Sequence, residues 1–217
     1  MRLPAAVLAF ILFAGPALAR PIHIVAFGDS LTSGWLVPRN QAYPAQLQRA
    51  LRKKGYDVVV KNAGVPGDTA RHALRRFDMA IDPDTDICIV EFGINDRHAH
   101  ASLKTVKARV SEIVRSLRAR GIAVLVLGLG GLHFDRLAAA QGALSLDFTL
   151  PPHKYRARDG AHFNAKGYAL LVKRLLPKVE TLIRRRRHSP PPRDGLWHRA
   201  HRQRRSRPPA RHRASTS

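Results

Sequence analysis

The strongest constraint on the fold of this chain is the alternation of short apolar segments with segments of helical periodicity. Five segments have the length and composition of buried strands, and they span residues 22–27, 57–61, 87–92, 122–127 and 143–148. Between them apolar residues recur at helical spacing, most regularly from Leu103 to Leu117, and the last such segment spans residues 165–183. Strands that are apolar on both faces and alternate with helices indicate a parallel sheet. The sequence therefore predicts an α/β fold: a flavodoxin-like, doubly wound five-stranded parallel sheet with helices on both faces.

Four short polar motifs lie next to these predicted elements. Ser30 follows the first strand, residues 62–64 (Asn-Ala-Gly) follow the second, and residues 93–96 (Gly-Ile-Asn-Asp) follow the third. Residues 159–162 (Asp-Gly-Ala-His) stand just before the last helix. Ligands bind such sheets outside the carboxyl ends of the strands. We therefore expect the four motifs to converge at one edge of the sheet.

The residue types in these motifs suit nucleophilic acyl transfer. A serine hydroxyl needs a neighbouring base, and His162 is the candidate that could accept the proton of Ser30. Asp159, three residues before His162, could orient the imidazole and stabilise its charged form. The negative charge that develops on the attacked carbonyl oxygen requires donors, which the backbone N–H groups of Ser30 and Gly64 and the Asn95 amide could supply. A glycine at position 64 would let the substrate approach the backbone closely.

These motifs also carry a resemblance to a known family. The segments FGDSLTSG, NAGVPGDT, GIND and DGAHFN resemble the four signature blocks of the SGNH, or GDSL, hydrolases. The resemblance implies Ser30 as nucleophile and oxyanion donor, with Gly64 and Asn95 as further donors. It implies that His162 and Asp159 complete the triad. It implies neither a metal nor an organic cofactor.

The resemblance extends from about residue 22 to residue 183 and is nearest to the small secreted thioesterases, lysophospholipases and arylesterases. It implies a small acyl-ester or thioester substrate. Two departures leave the substrate open. Residues 97–100 (Arg-His-Ala-His) stand where that branch often has a Gly- and Arg-containing loop, and residues 131–158 are too few for a long lid.

The two ends of the chain differ in composition from its centre. Residues 1–19 combine Arg2, an apolar run and Ala17-Leu18-Ala19, which predicts a signal peptide cleaved after Ala19 and a periplasmic or secreted protein with no remaining transmembrane segment. Residues 184–217 contain 12 Arg and one Asp, part of a formal net charge of +23, and few large apolar residues. We therefore expect a hydrolase domain over residues 20–183 and a disordered basic tail over 184–217.

Other interpretations of the sequence carry less support. The tail could associate with anionic surfaces, although nothing indicates a specific nucleic acid partner. A carbohydrate O-acetyl esterase would use the same motifs, and a non-catalytic binding protein acting through the tail is a weaker alternative. Ser30 is not in a Gly-x-Ser-x-Gly motif, which argues against the common α/β-hydrolase arrangement. Cys88 is the single cysteine, so the chain forms no intramolecular disulfide.

Overall fold

The computed structural model describes residues 20–188. The predicted signal peptide and residues 189–217 of the predicted tail therefore lie outside the described residues. No helix within residues 20–188 is both long enough and apolar enough to cross a membrane.

The described residues form one five-stranded parallel sheet. Its strands, β1 to β5, are Ile22–Gly28, Val58–Gly64, Ile87–Glu91, Ala123–Leu129 and Leu144–Phe148. They lie in the order β2-β1-β3-β4-β5, and every neighbouring pair is parallel. This order reverses direction at β1, as in flavodoxin-like sheets, so the predicted fold class is confirmed.

Helices connect the strands and cover both faces of the sheet. In chain order, α1 to α8 are Ser30–Ser33, Tyr43–Lys53, Ala70–Arg75, Phe77–Ala80, Ile94–His98, Leu103–Ala119, Asp135–Ala139 and Ala165–His188. Short 3₁₀ turns occur at Arg39–Gln41 and His153–Tyr155. Alternate residues of a strand point to opposite faces, so Ile24 and Ala26 pack with α2 and α8, whereas Val25 and Phe27 pack with α3 and α6. Strands buried on both sides explain the continuous apolar segments of the sequence.

The last helix differs from the prediction at its C-terminal end. The expected boundary between Ile183 and Arg184 is wrong, because α8 continues to His188. The guanidinium of Arg186 donates to the backbone oxygen of Gly121 at 3.0 Å and to Asp86 Oδ1 at 2.7 Å. Arginine is a good helix former, and here a long-range carboxylate stabilises the last turn. Composition alone assigned these residues to the tail.

Candidate active site

Ser30 occupies a sharp strand-to-helix turn at the carboxyl end of β1. The strand ends at Gly28, and the Asp29 side chain caps α1 by accepting a hydrogen bond from the Leu31 N–H at 2.9 Å. A side chain at position 28 cannot be accommodated, because its Cβ would lie 2.0 Å from Thr32 Oγ1. The motif therefore folds into a tight turn that brings the Ser30 hydroxyl to the edge of the sheet.

The structure brings Ser30, His162 and Asp159 into one hydrogen-bonded chain. Ser30 Oγ lies 2.8 Å from His162 Nε2, and His162 Nδ1 lies 2.5 Å from Asp159 Oδ2. The other oxygen of Asp159 accepts from the backbone N–H groups of Ala161 and His162, both at 3.1 Å. These bonds, the one from the His162 ring above all, lower the pKa of Asp159 to about 2. The ionised Asp159 accepts a hydrogen bond from the Nδ1–H of His162, and this tautomer leaves the lone pair of Nε2 free to accept the proton of Ser30.

The loop that carries His162 is anchored to the fold on both sides of the imidazole. The His162 backbone oxygen accepts from the Ala157 N–H at 2.8 Å, and Arg156 pairs with Phe163 as an antiparallel bridge. The Phe163 ring is fully buried in the core beneath α8. Asn164 Nδ2 donates to the Arg156 backbone oxygen at 2.9 Å. The imidazole is therefore held by a loop that is tied down by an aromatic anchor.

Two of the three predicted oxyanion donors line the same cavity as Ser30 Oγ. The Ser30 N–H finds no acceptor among residues 20–188. Asn95, in the first turn of α5, also lines the cavity. Its Nδ2 donates to Asp29 Oδ2 at 3.0 Å and to the Asp68 backbone oxygen at 2.9 Å. The Asn95 amide would therefore have to share one of these bonds in order to reach an oxyanion.

The expectation for Gly64 is wrong, since this residue does not line the cavity. Gly64 is the last residue of β2, paired with Gly28, and its N–H donates to Asn62 Oδ1 at 3.0 Å. A Cβ at position 64 would lie 2.2 Å from the Ser33 backbone nitrogen. The glycine is therefore required by the close packing of β2 against α1 and not by the approach of a substrate.

Gly67 occupies the position at the cavity that the sequence predicts for Gly64. It lines the cavity, and its φ of +78° and open surroundings suit the third position of a turn in which the Asp68 N–H donates to the Val65 oxygen at 3.1 Å. Within the described part of the chain its N–H has no acceptor. The signal was available in the Pro66-Gly67 pair, a strong turn former. The predicted second strand ends at residue 61, whereas β2 continues to Gly64 and the loop begins later.

Glu91 is a buried acid beneath the Ser30 turn that sequence reasoning missed. It ends β3 and is 1% exposed, and its Oε2 accepts from Thr32 Oγ1 at 2.9 Å and from the Asp29 N–H at 3.3 Å. Burial, reinforced by the nearby Asp29 carboxyl, raises the pKa of Glu91 well above its ordinary value. The available signal was a lone acid inside an otherwise apolar strand.

Asp96 braces the helices around the site. It is buried, and its two oxygens accept from the Ala70 N–H at 2.7 Å and from Arg109 Nη1 at 2.9 Å. These bonds join α5 to the N-terminus of α3 and to α6. Asp96 therefore sets the position of the turn that carries Asn95, and it does not line the cavity.

The cavity in front of Ser30 has a volume of about 510 Å³. Its apolar wall is formed by Leu31, Trp35, Pro66, Ile94 and Leu150, and its basic side chains are His98, Arg156 and His162. Within residues 20–188, no three His, Cys, Asp or Glu side chains are arranged to hold a metal ion. The arrangement can present an apolar group to a serine that is paired with a base.

Comparisons with known proteins find similar sequences and structures. The model of the GDSL-like lipase/acylhydrolase family matches residues 26–136. An arylesterase of Vibrio mimicus is 30% identical over 128 residues, which cover 58% of this chain and 63% of that protein. Esterase TesA of Pseudomonas aeruginosa is 29% identical over 123 residues, covering 56% of this chain and 60% of TesA. The match thus spans less than two thirds of either curated relative.

Solved structures show the same fold over nearly their whole length. The crystal structure of AlinE4, an SGNH-hydrolase family esterase, has a TM-score of 0.60 and 30% sequence identity, and the match covers 76% of this chain and 98% of AlinE4. The crystal structure of TesA has a TM-score of 0.64 at 22% identity, and the match covers 74% of this chain and 99% of that one. The latter likeness concerns the fold alone.

Proposed function

This chain belongs to the GDSL-like lipase/acylhydrolase family, and we propose that it is a serine esterase that hydrolyses small acyl esters or thioesters through an acyl-enzyme intermediate. The observation that carries the proposal is the 2.8 Å contact between Ser30 Oγ and His162 Nε2 at the wall of an open cavity. The names of the similar proteins, an arylesterase, esterase TesA and the esterase AlinE4, support the same reaction class.

In the first step, Ser30 Oγ attacks the carbonyl carbon of the ester while His162 Nε2 accepts the hydroxyl proton. The carbonyl double bond opens, and its oxygen takes the negative charge. The Asp159 carboxylate, bonded to Nδ1 at 2.5 Å, stabilises the imidazolium that forms.

Stabilisation of the oxyanion falls to the backbone N–H groups of Ser30 and Gly67, which both line the cavity. The Asn95 amide is the third donor when it shares one of its bonds to Asp29 and Asp68. Loss of one such donor costs roughly 10²–10³ in kcat in a serine protease. Gly67 thus replaces Gly64 in the set of donors that the sequence suggested.

In the second half of the reaction, His162 returns the proton to the leaving oxygen or sulfur, and the carbon–leaving-group bond breaks. Water then attacks the acyl carbon on Ser30 while His162 accepts one of its protons. The bond between the acyl carbon and Ser30 Oγ breaks, His162 returns the proton to Oγ, and the acid product leaves. The whole cycle uses side chains and backbone N–H groups of this protein and one water molecule.

The size of the cavity favours substrates with small acyl groups. Its volume of about 510 Å³ suits a small ligand and is bounded on one side by apolar side chains such as Trp35 and Ile94. We further propose that the protein acts outside the cytoplasm, on the basis of the signal-peptide pattern in residues 1–19.

The nucleophile is tested with Ser30→Ala and the matched control Ser33→Ala, which changes a serine one turn along the same helix. We expect the first variant to lose roughly 10⁴–10⁶-fold in kcat on p-nitrophenyl acetate and to keep its melting temperature. The control should retain most of its activity. A serine-directed phosphonate should label Ser30 alone in a peptide map. Labelling of another residue, or a fully active Ser30→Ala variant, would contradict the triad.

The substrate class is tested with p-nitrophenyl esters from acetyl to palmitoyl, an acyl-CoA and acetylated xylan. We expect kcat/KM to be highest for short acyl chains. Turnover of acetylated xylan at a rate well above that of the simple esters would favour the carbohydrate O-acetyl esterase instead.

A further inference from the structure

Among the described residues, Arg156 is the one arginine or lysine that lines the cavity. The Arg156 side chain lines the cavity, and its guanidinium is held from behind by two backbone oxygens. Nε donates to the Pro151 oxygen at 3.0 Å, and Nη1 donates to the Gly160 oxygen at 3.0 Å. These two bonds fix the guanidinium plane and leave Nη2 without an acceptor among residues 20–188.

No carboxylate neutralises this cation within the described residues. The loop of residues 149–158 contains no Asp or Glu. The nearest acid along the chain, Asp159, accepts from His162 and Ala161, and Asp29 at the cavity wall accepts from its own partners. A buried or half-buried guanidinium with an unused donor is an anion-binding group, since it matches the oxygens of carboxylate and phosphate.

The chemistry of the triad determines which part of a substrate meets Arg156. In acyl transfer the leaving atom takes its proton from His162 Nε2, so the leaving group lies on the histidine side of the serine. Arg156 belongs to the histidine loop, because it pairs with Phe163 directly after His162. The apolar side chains Leu31 and Ile94 come from α1 and α5 and remain for the acyl group.

We propose that Arg156 is a specificity-determining residue that selects esters or thioesters whose leaving group carries a phosphate or carboxylate. This inference rests on the proposed esterase function. The guanidinium binds the anion equally in the bound substrate and in the transition state. Loss of this contact should therefore raise KM, leave kcat nearly unchanged and lower kcat/KM by the same factor as KM rises. Hydrogen bonds to charged groups imply an effect of about 10- to 100-fold.

The test compares esters of one shape that differ in charge. The substrates are 4-acetoxybenzoate, its neutral methyl ester and 4-acetoxyphenyl phosphate, and the enzyme is the full chain. The quantity measured is kcat/KM for each anionic ester divided by kcat/KM for the neutral ester. A change in the catalytic step affects both esters by the same factor and therefore cancels in this ratio. We expect Arg156→Gln to lower this ratio about 10- to 100-fold relative to the unmodified protein. A larger loss for the phosphate or for the carboxylate identifies which anion the site prefers.

The matched control is Arg158→Gln, which removes an exposed arginine from the same loop that does not line the cavity. We expect its ratio to change less than about twofold, because charges in water are screened. Arg156→Lys keeps the charge without the planar fork and should retain part of the preference. Melting temperatures show whether each variant folds.

Two results would overturn the inference while leaving the esterase intact. If Arg156→Gln lowers kcat/KM equally for the neutral and anionic esters, Arg156 only braces the loop between Pro151 and Gly160. If Arg158→Gln changes the ratio as much as Arg156→Gln, the preference arises from the general positive charge. Failure of the unmodified protein to hydrolyse even the neutral ester would contradict the proposed function itself.

Discussion

At the residue scale, the Glu91 carboxyl supports the turn that carries Ser30 without touching the cavity. Its Oε2 accepts from the Thr32 hydroxyl and from the Asp29 N–H, the two residues on either side of the Ser30-Leu31 pair. Gly28 leaves room for it, since a Cβ there would lie 2.7 Å from Glu91 Oε2. The turn is therefore shaped by an acceptor contributed from the neighbouring strand.

The raised pKa of Glu91 leads to a prediction about its neutral form. Glu91→Gln keeps an acceptor of the same shape, so we expect kcat and the melting temperature to stay close to those of the unmodified protein. Glu91→Leu leaves the Thr32 hydroxyl and the Asp29 N–H unsatisfied, which costs about 1–3 kcal/mol per group, and should also lower kcat. Urea unfolding and p-nitrophenyl acetate hydrolysis measure the two effects.

The raised pKa of Glu91 also predicts how the stability of the protein changes with pH. A carboxyl whose pKa is raised by folding stabilises the protein fully below its unfolded pKa of about 4.3, and this stabilisation is lost as the pH rises through the folded pKa. Glu91→Gln lacks this titration and does not lose this stabilisation. As the pH rises from 4 to neutrality, the free energy of unfolding of Glu91→Gln should therefore increase relative to that of the unmodified protein. A Gln variant as damaged as the Leu variant would show that the carboxylate is the native form.

At the scale of elements, Asp86 joins both ends of the described chain at the edge of the sheet opposite the active site. Its carboxylate, just before β3, accepts from Arg20 at 2.7 and 2.8 Å, from the His23 N–H at 2.9 Å and from Arg186 at 2.7 Å. Burial opposes ionisation, but the Arg20 and His23 hydrogen bonds and the Arg186 charge outweigh it and lower the pKa of Asp86. The end of α8 is thereby tied to β1 and β3.

We expect Arg186→Gln to lower the free energy of unfolding by about 1–3 kcal/mol at pH 7, because it removes one charged donor from a buried carboxylate. Arg185→Gln, an exposed neighbour on the same helix, should change it by less than about 0.5 kcal/mol. A lowered pKa stabilises the fold above the unfolded value of about 3.9, and this is lost as the pH falls through the folded value, so the two variants should converge in acid. Urea unfolding at pH 7 and pH 3 measures this.

Esterase activity provides the control for the Arg186 prediction. The Asp86 cluster lies at the amino end of β3 and the active site at the carboxyl end of the sheet, so kcat/KM in Arg186→Gln should be unchanged below its unfolding temperature. Equal stability of the Arg186 and Arg185 variants would contradict a structural role for the last turn of α8.

At the scale of the whole molecule, positive charge is concentrated beyond the described residues. Residues 189–217 contain eight Arg and one Asp, a formal charge of +7 in 29 residues. Such a segment attracts polyanions over a distance set by salt, about 8 Å at physiological ionic strength. We propose that it holds the protein at anionic surfaces while the folded domain carries out catalysis.

We expect a chain ending at His188 to keep kcat/KM on a neutral, soluble ester, because the cut leaves α8 and the Arg186 contacts intact. The same chain should bind phosphatidylglycerol vesicles more weakly, with the largest difference below about 0.1 M salt. A full-length variant with the eight arginines changed to glutamine separates charge from length and should match the truncation. Unchanged vesicle binding in both proteins would contradict the electrostatic role.

The sequence by itself determined the fold class and the approximate places of the five strands, and it predicted that Ser30, His162 and Asp159 act together, which the structure places in one hydrogen-bonded chain. Each of these rests on a local pattern. A strand buried on both faces is continuously apolar, and a strand-to-helix turn needs glycine and a capping residue. Asp159 lies three positions before His162, which is close enough for a local contact. Physical effects within about ten residues of each other are readable from one stretch of chain.

Only the tertiary structure decided the features that depend on where segments meet. Pairing with β1 extends β2 to Gly64, which moves Gly67 and not Gly64 to the cavity. The contact between Arg186 and Asp86 joins residues 100 positions apart and turns the start of an apparent tail into helix. Arg156 becomes a cavity residue because the fold brings its loop to the same cavity as Ser30 and Trp35, which lie far from it in the sequence. In each case the deciding energy is a hydrogen bond or steric contact between distant segments, and sequence patterns carry no record of the geometry that forms it.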